Sequence, residues 1–133
     1  MMKKLAKDNN LDLDICSCGI YAEDGEYATY NAIEAAKYYD VNIEKHRATN
    51  IRRSRIKEMD IILCATESHK QSVLHMYPEL KEKVFTMKEY AKLDNNGQDM
   101  DIKDPWGYAM NVYQNCARKI EECNEKIIYL LRK

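Results

Sequence analysis

The stretch M-D-I-I-L-C-A-T, Met59 to Thr66, carries five consecutive apolar residues, Ile61 to Ala65, between an acid and a threonine. A half-exposed strand alternates polar with apolar positions, whereas a run apolar on both faces suits a strand covered on both sides, as in a parallel sheet. Downstream, Glu67 to Met76 reads as a helix stopped at Tyr77-Pro78, because the residue before a proline is pushed out of the helical region. K-V-F-T, Lys83 to Thr86, reads as a second short strand, and Met87 to Leu93 as a short helix closed by D-N-N-G. Strands that alternate with helices imply parallel βαβ units and an α/β layered domain.

Upstream, Leu13 to Gly19 (L-D-I-C-S-C-G) is short, bounded by turn residues, and suits a strand. Ala28 to Tyr39 has helical spacing, and V-N-I-E-K-H-R leads into a basic helix near Ile51 to Glu58. Met1 to Asn10 shows a helical stripe that ends at D-N-N, with no capping residue ahead of it, so it reads as the tail of a longer helix. From Gly107 to Lys133 the residues Val112, Cys116, Ile120, Cys123, Ile127 and Leu131 recur at helical spacing, giving one long terminal helix with an apolar stripe. In parallel α/β sheets the ligand site gathers at the carboxyl ends of the strands, which nominates Cys18 to Asp24, Thr66 to His69 and Asp101 to Trp106.

Length and composition bound the functional class. A chain of 133 residues, 45% hydrophobic and 32% charged, is one domain's worth, residues 1–133. With 21 basic against 22 acidic residues it carries no net field toward nucleic acid or an anionic membrane, so a small molecule or a protein surface is the expected substrate. The N-terminus has no apolar signal region and no run approaches a membrane span, so a soluble, cytoplasmic protein is expected. Five cysteines spread through predicted strands and helices read as buried, reduced thiols and not as a disulfide framework. No pair has the partner pair that a tetrahedral metal site needs, and His69 and His75 fall on different helix faces, so no metal is expected.

The chemistry concentrates in D-I-K-D-P-W-G, Asp101 to Gly107, which holds the only tryptophan. Pro105 restricts Asp104 to extended backbone angles and so helps hold its carboxylate in place. By pattern alone the same residues are also a common helix-entry turn in which Trp106 simply packs. Asp101 reads as a solvated or loop-bracing residue. Arg47, Arg52, Arg53 and Arg55 form a basic patch, by usual reading a solvated face, which also suits an anionic substrate or partner.

The order of four motifs resembles the low-molecular-weight protein tyrosine phosphatases, including the bacterial protein-arginine phosphatases. C-S-C-G-I is similar to the family's S-x-A-G, H-R-A-T-N-I to its H-x-A-x-x-I/L, D-I-I-L-C-A-T-E-S-H-K to its D-x-I-L-x-M-T-x-x-H-K, and D-I-K-D-P-W-G to its D-x-x-D-P-aromatic-G. The resemblance implies a three-layer α/β sandwich with parallel strand order 2-1-3-4, a phosphorylated protein as substrate, and no cofactor. It makes Asp104 the general acid and base, Trp106 a wall of the substrate pocket and His46 a brace behind the phosphate loop. It leaves oligomeric state, and phosphotyrosine against phosphoarginine, open.

One element of the family pattern is absent: no C-x-x-x-x-x-R-S occurs in the 133 residues. Cys64 in C-A-T-E-S-H-K is the nearest imitation, but Lys70 cannot reproduce bidentate phosphate binding by arginine, and a thiol inside an apolar run belongs to the core. The expectation is therefore that Met1 is an internal methionine, with the first, central strand and the nucleophile loop upstream, and that this chain alone is inactive. A non-catalytic interaction protein is the alternative; arsenate reduction would require the same absent cysteine. Without that central strand, about ten ladder hydrogen bonds at roughly 0.5–1.5 kcal/mol each are forgone, so the chain alone is expected to be marginal, rearranged or completed by another segment.

Overall fold

A computed structural model describes residues 1–93 and 101–132. Two strands, β1 (Ile62–Cys64) and β2 (Val84–Thr86), pair in parallel with Ile62 opposite Val84 and Cys64 opposite Thr86. Among the described residues five α-helices accompany them: α1 (Met2–Asp8), α2 (Tyr30–Lys37), α3 (Glu67–Met76), α4 (Met87–Ala91) and α5 (Met110–Leu131).

The apolar run of β1 packs on both faces, fully buried on one and partly buried on the other. Ile62 and Cys64 join a cluster with Ile51, Ile56, Val73, Leu80 and Val84. Leu63 and Ala65 turn the other way, toward Ala91, Ile102, Cys123 and Ile127. Successive strand side chains point to opposite faces, so one short strand serves two cores. On one side lies α3; on the other α5 packs with α4, and further along with α2 and α1.

Of the three strands expected in this chain, two pair in the sheet formed by the described residues. The pairing of the apolar run with the segment around Val84 holds, but the strand expected over Leu13 to Gly19 does not form. Its residues 12–18 make no backbone-to-backbone hydrogen bond among the described residues, and only Gly19 forms a bridge, to Asn50. Strand propensity without a neighbouring edge supplies no ladder partners. The basic helix expected over Ile51 to Glu58 is two 3-10 turns, Ile51–Arg53 and Ile56–Glu58. Ser54 between them is extended (ψ 168°) and donates its hydroxyl to the Ile51 carbonyl at 2.6 Å. That local bond competes with helix propagation.

Helix limits follow capping chemistry. α1 ends at the D-N-N cluster, where Asn10 has φ +56° and Leu11 donates to the Ala6 carbonyl. Its N-cap, Met1, makes no side-chain bond, as expected of an uncapped start. α2 starts behind Thr29 and α3 behind Thr66, each threonine oxygen accepting an amide three residues on. α5 begins at Met110 and not at Gly107, whose φ of +84° is a left-handed angle that a helix cannot contain. The D-N-N-G stretch read as the stop of α4 lies outside the described residues.

Thr86 and Glu89 close a capping box at the junction of β2 and α4, and Lys70 of α3 donates to the same Glu89 carboxylate at 2.9 Å. Thr86 is fully buried, so this corner ties both sides of the sheet through one acid. Glu89→Ala removes the cap and strands Lys70, and is expected to cost about 2–3 kcal/mol in urea unfolding; Glu89→Gln retains the cap and should lose less.

Glu121 of α5 behaves oppositely, because its Oε1 is buried with no hydrogen-bond partner among the described residues. Burial first, and the Glu125 charge second, push its carboxyl above the usual glutamate range. A raised carboxyl favours folding while protonated, and that contribution is lost as pH rises through the folded value. Glu121→Gln is therefore expected to raise the melting midpoint at pH 7, with the gain fading toward pH 4.

Candidate active site

The carboxyl end of β1 is where chain-distant segments meet. Just past Cys64, the carbonyl of Ala65 accepts the N–H of Ile102 at 2.7 Å, and the carboxylate of Asp101 accepts the N–H of Glu67 at 2.7 Å. Two of the three segments expected at the strand ends, Thr66 to His69 and Asp101 to Trp106, are thus joined directly. Cys18 of the third is exposed, and its neighbour Gly19 bridges to Asn50.

Asp104 and Trp106 are brought together by a local turn. The Asp104 Oδ1 accepts the Trp106 N–H at 3.0 Å, and Tyr108 donates to the Pro105 carbonyl at 3.0 Å. Asp104 is exposed, and Trp106 is 72% exposed, so the indole does not simply pack into a core. Tyr108 also accepts the Asn31 side-chain N–H at 3.4 Å, which ties the end of the turn to the first turn of α2.

His46 occupies a different loop. It is exposed, and among the described residues its side chain makes no hydrogen bond; its carbonyl accepts from Arg47. The basic patch near it is largely engaged. Arg47 stacks over Tyr27 at 3.3 Å, Arg53 pairs with Asp24 at 3.0 Å, and Arg55 grips Asp14 through two bonds of 2.8 and 3.0 Å. The hydrogen bond from Arg55 holds the Asp14 carboxyl below the usual range.

The cysteines divide by environment. Cys64 and Cys123 are buried, as read from sequence, but Cys16 and Cys18 are exposed, which corrects the expectation of a core thiol at both. The reason is the unpaired segment they sit on: without a sheet neighbour nothing covers it. Burial pushes the Cys64 thiol up to about 11. Its thiolate is then about one part in 10⁴ at pH 7, unsuited to nucleophilic attack. No group of three or more potential metal ligands occurs among the described residues.

Glu89 was not singled out in the sequence, although its place three residues after Thr86 is a capping-box signal. The partner of Asp101, read there only as solvated or loop-bracing, was not legible, since it lies 34 residues away.

The fold is α/β, and this turn lies beyond the carboxyl end of a parallel strand, where ligand sites of such sheets gather. The family model for low molecular weight phosphotyrosine protein phosphatase matches residues 1–133, and the chain belongs to that family. It is 30% identical over 138 residues to a protein-arginine-phosphatase of Bacillus subtilis, covering 100% of this chain and 85% of that protein. It is 32% identical over 113 residues to the low molecular weight protein-tyrosine-phosphatase PtpB of Staphylococcus epidermidis, covering 85% and 76% respectively. Among solved structures, a YwlE mutant from Bacillus subtilis superimposes with a TM-score of 0.88 at 26% identity, covering 99% of this chain and 86% of that one. A low molecular weight protein tyrosine phosphatase from T. tengcongensis gives 0.86 at 32% identity, covering 96% and 84%. No helix among the described residues is long and apolar enough to cross a membrane.

Thiol accessibility is directly measurable. In a native-state reaction with an aromatic disulfide reagent at pH 8, Cys16 is expected to react first, and Cys64 and Cys123 only after denaturant is added.

Proposed function

We propose that residues 1–133 form one phosphatase domain acting on phosphotyrosine or phosphoarginine in proteins, with Asp104 as the group that protonates the leaving atom. The observation that carries this reading is the turn at Asp104 to Trp106, in a chain matched along its whole length by the phosphatase family. In that chemistry a cysteine thiolate attacks phosphorus, the bond to the leaving oxygen or nitrogen breaks, and an acid supplies its proton. The same carboxylate then takes a proton from the water that hydrolyses the phosphocysteine. Asp104 has the placement for this: exposed, held by the Trp106 amide, and restricted by Pro105. Trp106 offers an indole face beside it for the side chain that carries the phosphate. His46 braces the phosphate loop in this reading.

The nucleophile is not among the 133 residues. There is no C-x-x-x-x-x-R-S, and the raised Cys64 thiol supports excluding the one near match. We propose that a strand bearing this loop is supplied from outside the stretch and pairs with the open edge of β1 and the unpaired residues 12–18. The chain by itself is then inactive. A second reading, a pseudophosphatase that binds partners without turnover, is favoured by the same missing motif and differs in the sequence preceding Met1: V-C-x-x-N-x-C-R-S-P there marks the enzyme.

The 133-residue chain is expected to hydrolyse no p-nitrophenyl phosphate above background, and hydrolysis that survives Cys64→Ser would overturn this account of the site. Extending it with an apolar strand followed by C-x-x-x-x-x-R-S is expected to produce hydrolysis that Asp104→Ala lowers by about 10²–10⁴.

A further inference from the structure

The acid turn is held at both ends by residues far from it in sequence. At its entry Asp101 accepts the Glu67 N–H at 2.7 Å, and Ile102 donates to the Ala65 carbonyl at 2.7 Å. The Ile102 side chain is 3% exposed and sits among Ala91, Cys123 and Ile127, so the entry is plugged as well as bonded. At its exit Tyr108 accepts from Asn31. Between these ends Lys103, Asp104 and Trp106 are exposed, and among the described residues the hydrogen bond on the Asp104 carboxylate is the local one from Trp106. An exposed turn bonded chiefly to itself takes its place in space from its anchors.

We infer that Asp101 is a positioning residue for Asp104, fastening the entry of the acid turn to the first turn of α3 through the Glu67 N–H. The inference rests on the reading of Asp104 as the proton donor. The choice of an aspartate has a physical reason. The first amides of a helix lack intrahelical partners, and Thr66 satisfies the one at His69, leaving that of Glu67 to another acceptor. A carboxylate there gains both a charge-assisted bond and the favourable end of the helix dipole. Since a displacement of about 1 Å at a reacting group can cost about a hundredfold in rate, an anchor three residues from the acid matters to chemistry it never touches.

Trp106, the only tryptophan, reports on this turn directly. Amide hydrogen exchange and Trp106 fluorescence anisotropy would be measured on the full chain and on Asp101→Ala, Asp101→Asn and Asp104→Ala. Asp101→Ala is expected to speed exchange at Glu67, Ile102 and Trp106 by about tenfold, as for loss of one net hydrogen bond, and to lower the anisotropy. Asp101→Asn keeps an acceptor oxygen without the charge and is expected to recover most of the protection that Asp101→Ala loses. Asp104→Ala should speed exchange at Trp106 alone. If Asp101→Ala accelerates Glu67 while Trp106 exchange and anisotropy stay at wild-type values, Asp101 only caps α3 and the inference is overturned. Failure of Asp101→Asn to recover most of the lost protection overturns it too. Failure of the acid assignment appears elsewhere, as retained hydrolysis in the extended chain carrying Asp104→Ala, and leaves these exchange rates unchanged.

Discussion

Ile62, Leu63, Cys64 and Ala65 alternate between two apolar clusters, so β1 cannot leave the interior without exposing one of them. That packing of one strand against two clusters is the constraint on which the rest of the structure depends. It places α3 on one side and α5 on the other, and it fixes where the strand must end, because Thr66 turns the chain into α3. The backbone groups freed at that end need partners, and the chain supplies them from Asp101 and Ile102. The acid turn is therefore positioned by the same hydrogen-bond accounting that terminates the strand.

The corner at Glu89 shows how few polar groups hold the layers in register. One carboxylate accepts from the Thr86 backbone, closing α4, and from Lys70, closing α3 onto it. A partly buried acid with both demands met is stabilising, whereas Glu121, with a buried oxygen unmet among the described residues, works against its own helix. These two glutamates have the same chemistry and opposite effects because their surroundings differ.

Electrostatics around the site follow the same rule. Arg47, Arg53 and Arg55, which in sequence form a bare basic run, are spent on Tyr27, Asp24 and Asp14. They brace the loops between residues 14 and 55 more than they project a field, and exposed pairs of this kind add little stability. The thiols sort likewise: burial raises Cys64 and removes it as a nucleophile, while the unpaired segment leaves Cys16 and Cys18 in solvent.

Much of this was legible in the residues themselves. The apolar run, the Tyr77-Pro78 stop, the stripe on the terminal helix and the order of the four motifs are local patterns, and local patterns survive into α3, β1 and α5 because short-range geometry generates them. The D-P-W turn was visible for the same reason, since its bond from Trp106 to Asp104 spans two residues. Only the tertiary structure decided whether a stretch with strand character, Leu13 to Gly19, would become a strand, because that depends on a neighbouring edge and not on its own side chains. It likewise decided the duty of Asp101, whose partner amide is 34 residues away and carries no mark in sequence that an acid must find it.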